Sequence, residues 1–157
     1  MKNLTIDNWI SIGNIVVPII VSTICGIVQW IITSVRIHKN NMNIRVNRII
    51  DYLEHLRSIS TEYWGKISIT PEYQQMLETS IKSYFCDIKR NLDYLHKKLK
   101  RGKKDLIYSL LTNDYINLNN LITGDYFETN QRQQDRKKCN NIIKFIDNFI
   151  KKIETSI

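Results

Sequence analysis

Three side chains within one short stretch are of the types needed for chemistry on a phosphate ester. Residues 90–96 read Arg-Asn-Leu-Asp-Tyr-Leu-His. A neutral imidazole such as that of His96 exchanges a proton near pH 7. The guanidinium fork of Arg90 matches the oxygens of a phosphate, and Asn91 sets an amide beside it. The spacing by itself selects weakly, because Arg48 and His55 stand in a similar loose relation. Six residues on an unbroken helix also turn two side chains about 120° apart. The competing reading is therefore an exposed arginine and a histidine on a charged helix face.

Six cations follow within eight residues: Lys97, Lys98, Lys100, Arg101, Lys103 and Lys104. A second cluster, Arg132, Arg136, Lys137 and Lys138, lies before the last helical stretch, and the chain carries a net charge of +8. Such patches bind polyanions in general: RNA, a cyclic oligonucleotide or anionic lipid heads. A solvated loop is the plain alternative. Tyr94, Tyr108 and Tyr115 could stack bases, although aromatic residues at helical spacing more often build a core. Cys25, Cys86 and Cys139 are far apart and form no C-x-x-C pair. That suits free thiols in a reducing compartment, and no metal is expected. With no glycine-rich phosphate loop either, no cofactor is expected.

The elements that would position these groups begin with a membrane span. The 157 residues have a hydrophobic fraction of 43 % and a mean hydropathy of −0.29, averages that conceal an asymmetry. From Asn8 through Val35 no residue is charged. A run of that length rises about 42 Å as a helix, against roughly 30 Å of bilayer hydrocarbon. A signal peptide would need a basic leader, a shorter apolar stretch and a small-residue cleavage site. Here the leader is nearly neutral and the apolar stretch too long. The sequence predicts a short extracytoplasmic N-terminus over 1–8, a transmembrane helix over 9–36 and a cytoplasmic domain over 37–157. Arg36, His38, Lys39, Arg45 and Arg48 crowd the C-terminal flank, which sets the N-terminus outside. Trp9 and Trp30 fit headgroup-level aromatic belts.

The span is more than a tether. Asn14, Pro18, Ser22, Gly26, Gln29 and Thr33 recur at steps of four, four, four, three and four, which traces one helical face. Polar side chains are costly against lipid, and small ones let helices approach closely. This line should meet a partner helix, or line a pore in a ring of copies. Either way a homo-oligomer is expected in the bilayer.

Past the membrane the apolar residues recur at helical spacing. Ile44, Ile49, Leu53 and Leu56 mark a first helix, which the sequence allows to continue from the span. Residues 65–71 form a break, with Thr70 as cap and Pro71 at the first position of the next helix. Met76, Leu77, Ile81, Phe85, Ile88, Leu92, Leu95 and Leu99 predict one buried face on a second helix that Gly102 ends. A third is predicted over 105–121, stopped by Thr123-Gly124. A fourth runs over 131–153, with Ile142, Ile143, Phe145, Ile146, Phe149 and Ile150 apolar. The expected fold is all-α, one transmembrane helix followed by an up-down helical bundle.

Arg90, Asn91 and His96 match the R-[polar]-x4-H motif, so the bundle resembles a divergent HEPN-like domain. HEPN domains are small helical bundles, often metal-independent ribonucleases of bacterial antiphage and toxin systems. The resemblance implies that two copies of the motif meet across a dimer. His96 would act as general acid and base on an RNA 2′-hydroxyl, and Arg90 would hold the scissile phosphate. A single N-terminal span ahead of such a domain resembles the small membrane accessory proteins of type VI-B CRISPR systems. That layout implies an oligomeric pore in a bacterial inner membrane, strengthening an RNA-guided effector against phage. The expected function is thus a pore-forming or membrane-perturbing defence effector. A membrane-tethered ribonuclease and a cyclic-oligonucleotide-gated effector are the alternatives.

Overall fold

In the computed structural model the described residues are 6–98, 104–124, 126–129 and 132–156, with the side chains of 6–15 and of 104 left undescribed. Four helices account for nearly all of them: α1 (Ile6–Gly65), α2 (Pro71–Lys98), α3 (Lys104–Thr123) and α4 (Arg136–Ser156). No strand occurs among the described residues. The chain divides into two compact units, residues 1–41 and 42–157.

In the first unit α1 holds one stretch long and apolar enough to cross a membrane, and none of it is buried. A soluble core helix of that composition would be covered by its own fold. Here Ile19, Ile20, Val21, Ile24, Ile27 and Val28 are each about half exposed, and Trp30 is 71 % exposed. Pro18 lies inside the helix, which loses one backbone hydrogen bond there. The Ser22 and Thr23 hydroxyls both donate back to the Ile19 carbonyl, at 2.9 and 2.8 Å.

In the second unit each helix gives one face to a single core. α1 contributes Ile49, Leu53, Leu56, Tyr63 and Trp64, and α2 contributes Leu77, Ile81, Phe85, Ile88, Leu92 and Leu95. Leu111, Leu118 and Ile122 come from α3, and Ile142, Ile146, Phe149 and Ile153 from α4. Two residues depart from the sequence expectation. Met76 is 51 % and Ile44 is 41 % exposed, because each lies on the outward side of its helix: Met76 is turned about 100° from the buried Leu77, and Ile44 about 160° from the buried Met42. Leu99 lies outside the described residues.

Cross-helix contacts fix an alternating order. Arg45 meets Asn91 while Tyr63 meets Glu78, so α1 and α2 run antiparallel. Asp93 meets Tyr108 and Phe85 meets Tyr115, which reverses α3 against α2. Asp114 meets Lys152 and Gly124 meets Lys138, which reverses α4 against α3. This is the up-down arrangement of short-looped bundles.

The helix ends explain the boundaries. Thr70 Oγ1 accepts from the Tyr73 amide at 3.3 Å, capping α2 just ahead of Pro71. Gly124 ends α3 for a steric reason: a β-carbon there would stand 2.6 Å from the Asn120 carbonyl oxygen. α4 starts later than the sequence predicted, at Arg136 rather than 131. Asp135 caps it through the Lys138 amide at 2.8 Å. The residues before Asp135 serve another helix end: Arg132 donates to the Tyr63 and Lys66 carbonyls and Gln134 to the Gly65 carbonyl. With the Asp135 amide bound to the Trp64 carbonyl, the last carbonyls of α1 have partners.

Candidate functional site

The motif on α2 does not converge within one chain. Arg90 points to solvent, its side chain 74 % exposed, and pairs with Asp87 one turn back at 3.0 Å. Asn91 turns the other way and is 4 % exposed. Its Nδ2 donates to the Asp87 carbonyl at 2.8 Å, and its Oδ1 accepts from Arg45 of α1 at 3.1 Å. The Arg45 guanidinium also lies 4.6 Å over the Tyr94 ring, a cation–π contact. His96 stacks on Tyr108 of α3, ring centroids 4.0 Å apart and planes inclined by 28°. Its Nδ1 is enclosed without a hydrogen-bond partner among the described residues. The Tyr108 hydroxyl donates to Asp93 at 2.7 Å, and that bond raises the phenol's pKa.

Continuous helical geometry accounts for this divergence. α2 is unbroken through Arg90 and His96, so the two side chains leave it about 120° apart. Proton transfer and phosphate binding at one ester need both groups within hydrogen-bond reach. A site made from both would need a second copy of the chain. The other Arg–His pair behaves similarly: Arg48 is exposed, while His55 stacks at 5.6 Å on Tyr84.

Of the polyanion candidates, Lys97 and Lys98 are exposed at the end of α2. Lys100, Arg101 and Lys103 lie outside the described residues, as does the side chain of Lys104. The second basic cluster divides. Arg136 and Lys137 are exposed, whereas Arg132 and Lys138 are structural. Lys138 is 7 % exposed, donates to the Gly124 carbonyl at 3.1 Å and sits 3.7 Å over the Trp64 ring. The tyrosines are likewise built in: Tyr94 under Arg45, Tyr108 on His96, and Tyr115 edge-on to Phe85 at 5.6 Å.

The stripe on the span is open. Pro18, Ser22, Gly26, Gln29 and Thr33 are all exposed, and a β-carbon on Gly26 would meet nothing within 4 Å. Ser22 is satisfied by its own helix, but Gln29 makes no side-chain hydrogen bond among the described residues. Asn14 lies outside the described side chains.

The sequence reading missed the buried polar knot at the opposite end of the domain. Glu78, 8 % exposed, accepts from the Tyr63 hydroxyl at 2.7 Å and from Gln74 at 2.8 Å. Burial, followed by the Glu78 bond, pushes the Tyr63 phenol well up. Nearby, Glu62 is held below the usual carboxylate range, first by Lys66 and then by Tyr73. A separate groove of about 430 Å³ between α3 and α4 has Phe145 and Phe149 on its wall, with Asp114 and Lys152 paired beside them. Among the described residues no group of three His, Cys, Asp or Glu side chains is placed to hold a metal ion. In comparisons with known proteins, no family model matches the chain, and neither a curated protein nor a solved structure matches it.

Proposed function

We propose that this chain is a single-pass protein of a bacterial inner membrane that assembles through its span. In this reading it is a pore-forming or membrane-perturbing antiphage effector. The observation that carries it is the uncovered apolar stretch of α1, with a Gln29 on its polar line that makes no side-chain hydrogen bond among the described residues. An amide facing hydrocarbon is costly, and a neighbouring copy of the helix or a water-filled lumen removes that cost. The cationic flank from Arg36 to Arg48 supports a cytoplasmic location for residues 37–157. The resemblance in layout to type VI-B accessory proteins is what favours an RNA-guided CRISPR effector as the partner in this reading.

A membrane-tethered HEPN-type ribonuclease is the second reading, favoured by the exposed Arg90 guanidinium. Exposed Lys97 and Lys98 also suit RNA or a cyclic oligonucleotide as a gating ligand. Membrane potential and RNA integrity, followed in the same cells after phage challenge, separate the readings. We expect depolarisation before any RNA loss, and deletion of residues 1–35 should abolish it. Prompt RNA cleavage at an intact potential, lost in Arg90→Ala and His96→Ala, would overturn the proposal and establish the nuclease.

A further inference from the structure

We propose that the outer face of α3 is where the helical domain pairs with a second copy of this chain; this rests on the reading that the chain assembles. From Leu106 to Thr123 the only charged residue is Asp114. It is 7 % exposed and neutralised by Lys152 at 2.7 and 3.0 Å. What α3 shows to solvent is instead uncharged: Ser109 and Ile116 flank a strip made of Leu106, Leu110, Asn113, Asn117 and Asn120. Leu106 is 68 % and Leu110 is 52 % exposed. At 100° per residue these five fall within an arc of about 80°, along about 21 Å of helix.

The other outward faces differ. α2 presents Lys89, Arg90 and Lys97 with Glu72 at its start, and α4 presents Arg136, Lys137, Lys144 and Lys151 against Asp147 and Glu154, so cations predominate on both. With a net charge of +8 on each copy, contact through those faces would oppose like charges. Among the described outward faces of the domain, that of α3 over residues 106–123 is the one with no exposed charge, so two copies meet there without opposing cations. Interface centres are depleted in charge in the same way. An acidic partner would be drawn to the cationic faces. A bilayer surface would select lysine or arginine beside the leucines, and this arc has neither. A two-fold contact places like residues together. Leucine buries leucine, and asparagine suits the dyad because its amide both donates and accepts.

The experiment uses the full chain in native membranes, with Cys25 and Cys86 replaced by serine. One new cysteine is introduced at a time: at Asn113 or Asn117 on α3, at Lys144 on α4 as control, or at Gln29 in the span. Under mild oxidation the α3 positions should give at least about five times the disulfide dimer of the Lys144 control. A yield no higher than that control would overturn the inference. Cross-linking at Gln29 alone would do so while leaving span assembly standing. Cross-linking on α3 alone would do the reverse. In a second arm, differently tagged Asn113→Lys and Asn113→Asp chains are co-expressed. They should co-purify with each other several-fold more than either does with itself. Equal recovery of all pairs would also overturn the inference.

Discussion

The guanidinium of Arg45 is shared between Asn91, at 3.1 Å, and the face of Tyr94, at 4.6 Å. Within one chain Asn91 is thus a clasp between α1 and α2, while its neighbour Arg90 stays in solvent. Removing the Asn91 amide leaves Arg45 without its carbonyl partner and opens a small cavity. Asn91→Ala should cost about 1–2 kcal/mol, and Arg90→Ala no more than about 0.5 kcal/mol. Thermal unfolding of the two variants tests this; equal losses would refute the clasp.

A second prediction concerns the two cationic clusters. Lys138 and Arg132 hold helix-end carbonyls and lie over Trp64 and Tyr63. Lys138→Ala and Arg132→Ala should each lower stability by about 1–3 kcal/mol. Lys137→Ala, one residue away and exposed, should change it by less than about 0.5 kcal/mol. Polyanion affinity should show the opposite order, with Lys137→Ala the more damaging. A filter-binding titration alongside the melts reads both.

The cysteines give a pH-dependent prediction. Burial, with Asp135 nearby, raises the pKa of the Cys139 thiol, while Cys86 is exposed. Maleimide at neutral pH should modify Cys86 at least about tenfold faster, since the thiolate reacts. Because the unfolded Cys139 ionises first, its contribution to stability is intact below the ordinary thiol pKa. It declines as the pH rises through that value toward the folded one. Cys139→Ser should flatten the stability profile on the alkaline side, and an unchanged slope would contradict the assignment.

Gln29→Leu tests the span. Replacing the Gln29 amide by leucine makes the helix more comfortable in lipid and less dependent on a neighbour. Copy number in detergent should fall, or the depolarising activity should drop severalfold. Leucine at Val28, on the apolar side, should do neither. If both variants assemble and act like the parent, the polar line has no role.

How much of this was legible in advance varied with how local the cause was. The apolar run, the Thr70-Pro71 start of α2 and the Gly124 stop of α3 are written in neighbouring residues. Periodicity also marked the core faces of α2 and α4. The start of α4 was misplaced because Arg132 and Gln134 serve α1, and no local pattern reveals a cap provided from 66 or 69 residues away. For the same reason Arg132 and Lys138 read as surface charge, and the Tyr63–Glu78 bond went unseen. On the motif, the continuous apolar rhythm of α2 already indicated that Arg90 and His96 diverge. The sequence did not indicate that Asn91 faces Arg45.

The closure of α1 by residues 132–135 also bears on how the protein is made. A ribosome delivers α1, α2 and α3 before it delivers the groups that bind the Tyr63, Trp64, Gly65 and Lys66 carbonyls. Until then those oxygens must be hydrated, and Trp64 lacks the Lys138 ammonium that lies over its ring. The domain therefore locks late in synthesis, on the arrival of its final helix. Chains interrupted before α4 would carry an open helix end and a Trp64 held only by Tyr63 and the Ile122 carbonyl.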